Sequence, residues 1–250
     1  MKKFVVGNWK LYISSLSEGK KLLRAIDKSF PRGAKSTVVV CPPVALAVAL
    51  RASYGGRRIA FGTQDASFEI EGSHTGETSP RHLADSGIQY VILGHTERRL
   101  KGETDEIVAK KVAAALSVKL TPIICVGEPA RDPEGHFFEY LKNNVSQSLA
   151  RIAPSDAKKI IIAYDPYWAI GNSEAPTPNV IREAVMFIRK TVADLWGREA
   201  ADRVRIIYGG SVDGSNADVI AEGAGVDGVL PGRASVQPKE FSKIIKAFIA

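Results

Sequence analysis

Several residues that can do chemistry stand where apolar runs stop. Asn8 and Lys10 follow the run from Phe4, His95 follows the run from Tyr90, and Asp165 follows the run from Ile160. Gly209-Gly210-Ser211 and Gly232-Arg233 close the last two runs. A carboxylate and an imidazole are the usual partners of general acid–base proton transfer. An ammonium such as that of Lys10 stabilises developing negative charge, most strongly in a dry site. Glycines let backbone N–H groups come close to an anion. Each residue also has a plain reading. Lys10 is then a surface lysine at a strand end, His95 a partly buried histidine, and each Gly-Gly pair a turn.

The apolar runs themselves recur along the whole chain. Strands are expected at Phe4–Trp9, Thr37–Cys41, Ile59–Gln64, Tyr90–Gly94, Thr121–Val126, Ile160–Tyr164, Val204–Tyr208 and Gly228–Leu230. They are dense in Val and Ile and mostly lack polar alternation, as strands covered on both faces do. Between them lie helical patterns with start signals. Ser79-Pro80 and Thr177-Pro178 place a capping hydroxyl before proline at the first helical position. From Pro178 to Trp196, Val180, Ile181, Ala184, Val185, Ile188, Val192 and Leu195 recur at helical spacing, and Phe241, Ile244, Ile245 and Phe248 mark a last helix after Gln237-Pro238. With no Gly/Ser-rich linker, the expectation is α/β, a single (β/α)8 TIM barrel spanning 1–250 as one domain. Chemistry in such a barrel sits at the C-terminal strand ends. The polar residues gather there, with Gln64-Asp65 and Glu128 at two further ends.

Composition narrows the classes. The 250 residues are 45% hydrophobic and 24% charged, ordinary for a folded globular chain. Two cysteines, Cys41 and Cys125, are too few for a disulfide framework or a Cys-rich metal site. The apolar stretch from Val38 to Leu50 is too short to span a bilayer and is interrupted by Pro42-Pro43. The basic opening Met1-Lys2-Lys3 leads into an apolar stretch that stops at Asn8-Trp9-Lys10, well short of a signal peptide. A cytoplasmic protein without membrane contact is expected. The net charge of +7 comes from basic residues scattered among acids. That favours a solvated surface with some attraction for small anions over a nucleic-acid partner.

Five segments carry a family resemblance: Gly7-Asn8-Trp9-Lys10, Thr75-Gly76-Glu77, Gly94 to Arg99, Ala163 to Gly171, and Tyr208-Gly209-Gly210-Ser211-Val212. In order and spacing they resemble the signature segments of the triosephosphate isomerase family. The resemblance implies a cofactor-free, metal-free isomerase of glycolysis and gluconeogenesis that interconverts dihydroxyacetone phosphate and D-glyceraldehyde 3-phosphate through an enediol(ate). It implies Asp165 as the base, a neutral His95 as proton donor, Lys10 as charge stabiliser and Glu97 as the acid that pairs with Lys10. Asn8, Lys10, Gly171, Ser211 and Gly232 would hold the phosphate-bearing substrate. Pro166, Tyr167, Trp168 and Pro176 would belong to a lid that excludes water. Thr75 would reach into a second copy of the chain in a homodimer.

The chain also departs from the family pattern. Asp165 stands where the family has Glu, shortening the base by one methylene, about 1.5 Å; a misplacement of about 1 Å costs on the order of 10²-fold in rate. The expectation is an intact but slower catalyst, unless the backbone shifts to compensate, with Tyr167 (commonly Val) a candidate participant. Glu174-Ala175-Pro176 replaces Lys-Thr-Ala, and Pro176 stiffens the far end of the lid. Arg233 replaces a glycine. It contacts the phosphate, obstructs it, or points to solvent, and the sequence leaves these three open. These departures also keep open an alternative, a catalytically attenuated phosphate-ligand binding protein on the same barrel.

Overall fold

The computed structural model describes residues 3–31, 33, 36–169 and 176–248. Eight parallel strands close into a barrel in the order β1 to β8. They are β1 Phe4–Asn8, β2 Thr37–Cys41, β3 Ile59–Thr63, β4 Tyr90–Leu93, β5 Thr121–Val126, β6 Ile161–Tyr164, β7 Arg205–Tyr208 and β8 Gly228–Val229. Closure comes from Phe4 and Val5 pairing with Gly228 and Val229. Several strands end one residue before the sequence suggests, for a local reason. The backbone leaves the extended region at Gly94, with φ +68°, and at Lys10, with φ +44°.

Alternation along each strand sorts the core into two layers. Val6, Val39, Ile92, Ile123, Cys125, Ile161, Ala163 and Ile207 form one cluster inside the barrel. Val5, Val38, Val40, Val91, Ile124, Ile162 and Ile206 join the larger cluster with the helices. The helix Pro178–Trp196 shows the matching stripe, burying Ile181, Ala184, Val185, Ile188 and Val192. Thr177 caps it by accepting from the Val180 N–H. Leu195, expected on the same face, is exposed in the last turn.

This period of two aims the site. Residue 165 continues the inward register of Ile161 and Ala163, and residue 209 continues that of Ile207. A carboxylate at 165 therefore points into the mouth of the barrel. A glycine at 209 leaves space beside it, since a Cβ there would lie 3.4 Å from the Asp165 Cβ.

Candidate active site

Asp165 is 1% exposed. Its Oδ2 accepts from the Thr96 N–H at 3.2 Å and from Thr96 Oγ1 at 3.0 Å. Its N–H donates to the Val126 carbonyl at 2.7 Å, tying the end of β6 to β5. Gly127 makes that approach possible, because a Cβ there would run into the Asp165 carbonyl. Asp165 Oδ1 is buried and has no hydrogen-bond partner among the described residues. Unpaired buried carboxylate oxygens are costly, so they tend to mark a working group rather than a structural one.

His95 caps the helix Thr96–Arg99, and its Nδ1 accepts from the Glu97 N–H at 3.1 Å. A ring nitrogen that accepts carries no proton. This geometry therefore describes a neutral imidazole with its hydrogen on Nε2. Nε2 lies 3.7 Å from Asp165 Oδ2, so proton donor and carboxylate face the same space. Thr96 thus serves both neighbours: it follows the imidazole in the chain and holds the carboxylate.

Lys10 stands just past β1 in the left-handed region, a strained conformation for a residue with a Cβ. The strain is held by fixed partners. Asn8 Oδ1 accepts from the Lys10 N–H at 3.2 Å, and Gln64 Nε2 donates to the Lys10 carbonyl at 3.0 Å and to the Cys41 carbonyl at 2.9 Å. The turn directs the ammonium to Glu97 Oε1 at 2.6 Å. Partial burial pushes the Glu97 carboxyl up. The hydrogen bond and charge of Lys10 outweigh that and hold it below its ordinary value.

The opposite side of the mouth is made of backbone. The N–H groups of Gly210, Gly232 and Arg233 find no acceptor among the described residues. The carbonyl of Gly232, in contrast, is taken by Ser235 through both its N–H, at 2.9 Å, and its Oγ, at 2.6 Å. Ser211 Oγ donates to the Ala169 carbonyl at 3.0 Å, and Asn216 Nδ2 donates to the Ser211 carbonyl at 3.2 Å. Carbonyls are turned away and amides left free, which suits an anion. A cavity of about 740 Å³ joins Asn8, Lys10, His95, Glu97 and Asp165 to Ser211, Gly232 and Arg233.

Of the other expected site residues, Gly171 lies outside the described residues, as do Glu174 and Ala175. Pro166 and Pro176 are buried and Tyr167 is half-buried. Trp168 Nε1 donates to Glu128 Oε1 at 2.9 Å, and the Tyr164 hydroxyl donates to the same oxygen at 2.7 Å. Thr75 is exposed on a loop whose residues 71–77 are all exposed, and it is not part of the cavity wall. In the sequence Gln64 and Glu128 are polar residues at strand ends with no evident task, and Gly127 carries no signal of its role. The signals were weak: an amide after β3, and a glycine at the end of β5.

The fold and site together define a class: a (β/α)8 barrel whose mouth sets a buried carboxylate and a neutral imidazole opposite a wall of backbone amides without acceptors among the described residues. The comparisons narrow this to one family. The family model described as Triosephosphate isomerase matches residues 3–248. The chain is 40% identical over 250 residues to the triosephosphate isomerase of Carboxydothermus hydrogenoformans, covering 99% of each chain. It is 41% identical over 245 residues to that of Thermoanaerobacter sp. (strain X514), covering 96% of this chain and 97% of the relative. The chain belongs to the triosephosphate isomerase family.

Proposed function

We propose that this protein interconverts dihydroxyacetone phosphate and D-glyceraldehyde 3-phosphate, with Asp165 moving the proton at carbon and His95 moving protons at oxygen. The observation that carries this reading is the 3.7 Å separation of His95 Nε2 and Asp165 Oδ2 on one cavity wall. Asp165 takes a proton from the carbon beside the carbonyl while the Nε2–H donates to the carbonyl oxygen, giving an enediol(ate). Return of the Asp165 proton to the neighbouring carbon, with reprotonation of His95 from the other hydroxyl, completes the isomerisation. Lys10 stabilises the negative charge on the oxygens. Glu97 orients Lys10, and Asn8 fixes its backbone. The amides near Ser211 and Gly232, joined by Gly171, receive the phosphate. The segment opened by Pro166, Tyr167 and Trp168 and ended by Pro176 acts as the lid, which keeps water from the intermediate.

The working unit in this reading is one barrel domain, paired as a homodimer through the exposed loop carrying Thr75. Leu11, 86% exposed beside the site, would be covered there. No helix among the described residues is long and apolar enough to cross a membrane. Work in the cytoplasm, in glycolysis and gluconeogenesis, is the setting we propose.

A coupled assay on the purified protein tests the activity, and a folded sample without turnover would sink it. Asp165→Glu tests the shortened base. Restoring the methylene is expected to raise kcat by up to about 10²-fold. An unchanged or lower kcat would mean that the backbone already places the shorter carboxylate correctly.

A further inference from the structure

We propose that Arg233 is a phosphate-binding residue of the anion seat, its guanidinium gripping the substrate phosphate from the solvent side. This rests on the triose phosphate reading above and assigns the charge that reading lacks. Two cations, Lys10 and Arg233, line the cavity. Lys10 is already paired with Glu97 at 2.6 Å. Arg233 makes no side-chain hydrogen bond or ion pair among the described residues.

Acids for such a pair are on the same wall and are otherwise engaged. Glu240 binds Lys243 at 2.8 Å, and Asp213 accepts from the Ser215 N–H at 2.7 Å and Oγ at 2.6 Å. Among the described residues, a phosphate dianion entering the cavity therefore meets one uncommitted positive side chain, and it stands on the wall of free amides. Its backbone is equally placed. Gly232 packs against Lys10, a Cβ at 232 lying 3.5 Å from the Lys10 Cε, and the Gly232 and Arg233 N–H groups are free. Residue 233 can thus offer a phosphate both an amide and a planar fork, the geometry that matches two phosphate oxygens.

The phosphate keeps its charge through the reaction, so this grip acts equally on ground and transition states and belongs in KM. The test compares the full chain with Arg233→Gln and Arg233→Lys, using D-glyceraldehyde 3-phosphate as substrate and inorganic phosphate as inhibitor. For Arg233→Gln, KM and the phosphate inhibition constant should each rise about tenfold, with kcat within about threefold of the parent. Arg233→Lys should fall between. Added salt should narrow the gap, because Arg233 is an exposed residue.

Unchanged constants would place the side chain in solvent, a lower KM would make it an obstruction, and a loss carried by kcat would make it something other than a phosphate ligand. Each overturns the proposal. If the parent shows no turnover, the isomerase reading fails by itself. Calorimetric binding of inorganic phosphate to parent and Arg233→Gln then still decides Arg233.

Discussion

On the β4–β6 side of the cavity, Asp165 and His95 are side chains buried to within a few per cent, each fixed by one or two named bonds. Asp165 hangs on Thr96 and His95 on the Glu97 amide. On the β7–β8 side, the backbone amides of Gly210, Gly232 and Arg233 are held by the course of the chain without acceptors among the described residues, and the Arg233 side chain lines the same wall. The difference suits the two tasks proposed for these walls. A proton must leave one atom and arrive at another, so a particular side chain at a particular distance is needed. A phosphate needs several donors around a charge that does not change, and backbone supplies them without side-chain entropy. The proton side should therefore be brittle to single substitutions and fail in kcat. The phosphate side should be tolerant and fail in KM.

The largest expected effect lies on the proton side. Asp165→Asn keeps size and burial and removes the proposed base, and kcat should fall by about 10³-fold with little change in KM. Steady-state kinetics would check the split. A loss of similar size carried by KM would erase the contrast between the two sides.

Next in size is a substitution that never touches substrate. In Gly127→Ala the new methyl meets the Asp165 carbonyl, so the base must shift as a unit with its backbone. A displacement near 1 Å costs about 10²-fold in kcat, again with KM held. Circular dichroism on the same sample separates this from unfolding. If kcat survives, β5 does not position the base.

These two residues also show where sequence reading reaches and where it stops. Asp165 was legible because it ends a Val/Ile-rich strand inside a signature segment, and the period of two then turns it inward. His95 and its helix start were legible for the same reason. The strand set was legible throughout, since runs such as Thr37–Cys41 and Thr121–Val126 are short, mostly apolar and rich in Val, Ile or both. Gly127 and Gln64 were not. Gly127 matters only because β5 and β6 come together at its position, and Gln64 because the loop after β3 lies beside a strained Lys10. Those are facts of register between distant strands, which local pattern does not carry. The Thr96–Asp165 bonds bridge 69 positions and were invisible for that reason. Nor does a lysine announce a positive φ: the strain at Lys10 is imposed by Asn8 and Gln64, not by its own propensity.

The smallest effect is the sharpest test of the phosphate side. Ser211 sits among the glycines after β7 and could be taken for a hydroxyl ligand of the anion. Its Oγ is already committed to the Ala169 carbonyl at 3.0 Å, and its carbonyl to Asn216. Ser211→Ala removes the hydroxyl and leaves the amide in place. One neutral hydrogen bond has a net worth of about 1 kcal/mol, so KM should rise by about fivefold at most. The residue-169 end of the loop after β6 should loosen, readable as faster amide exchange there. A rise in KM of about 10²-fold or more would mean that the hydroxyl itself binds phosphate. The Ser211 hydroxyl would then be as indispensable to the anion seat as the side chains are to the proton side, since an effect that large exceeds what losing the Ala169 bond can account for.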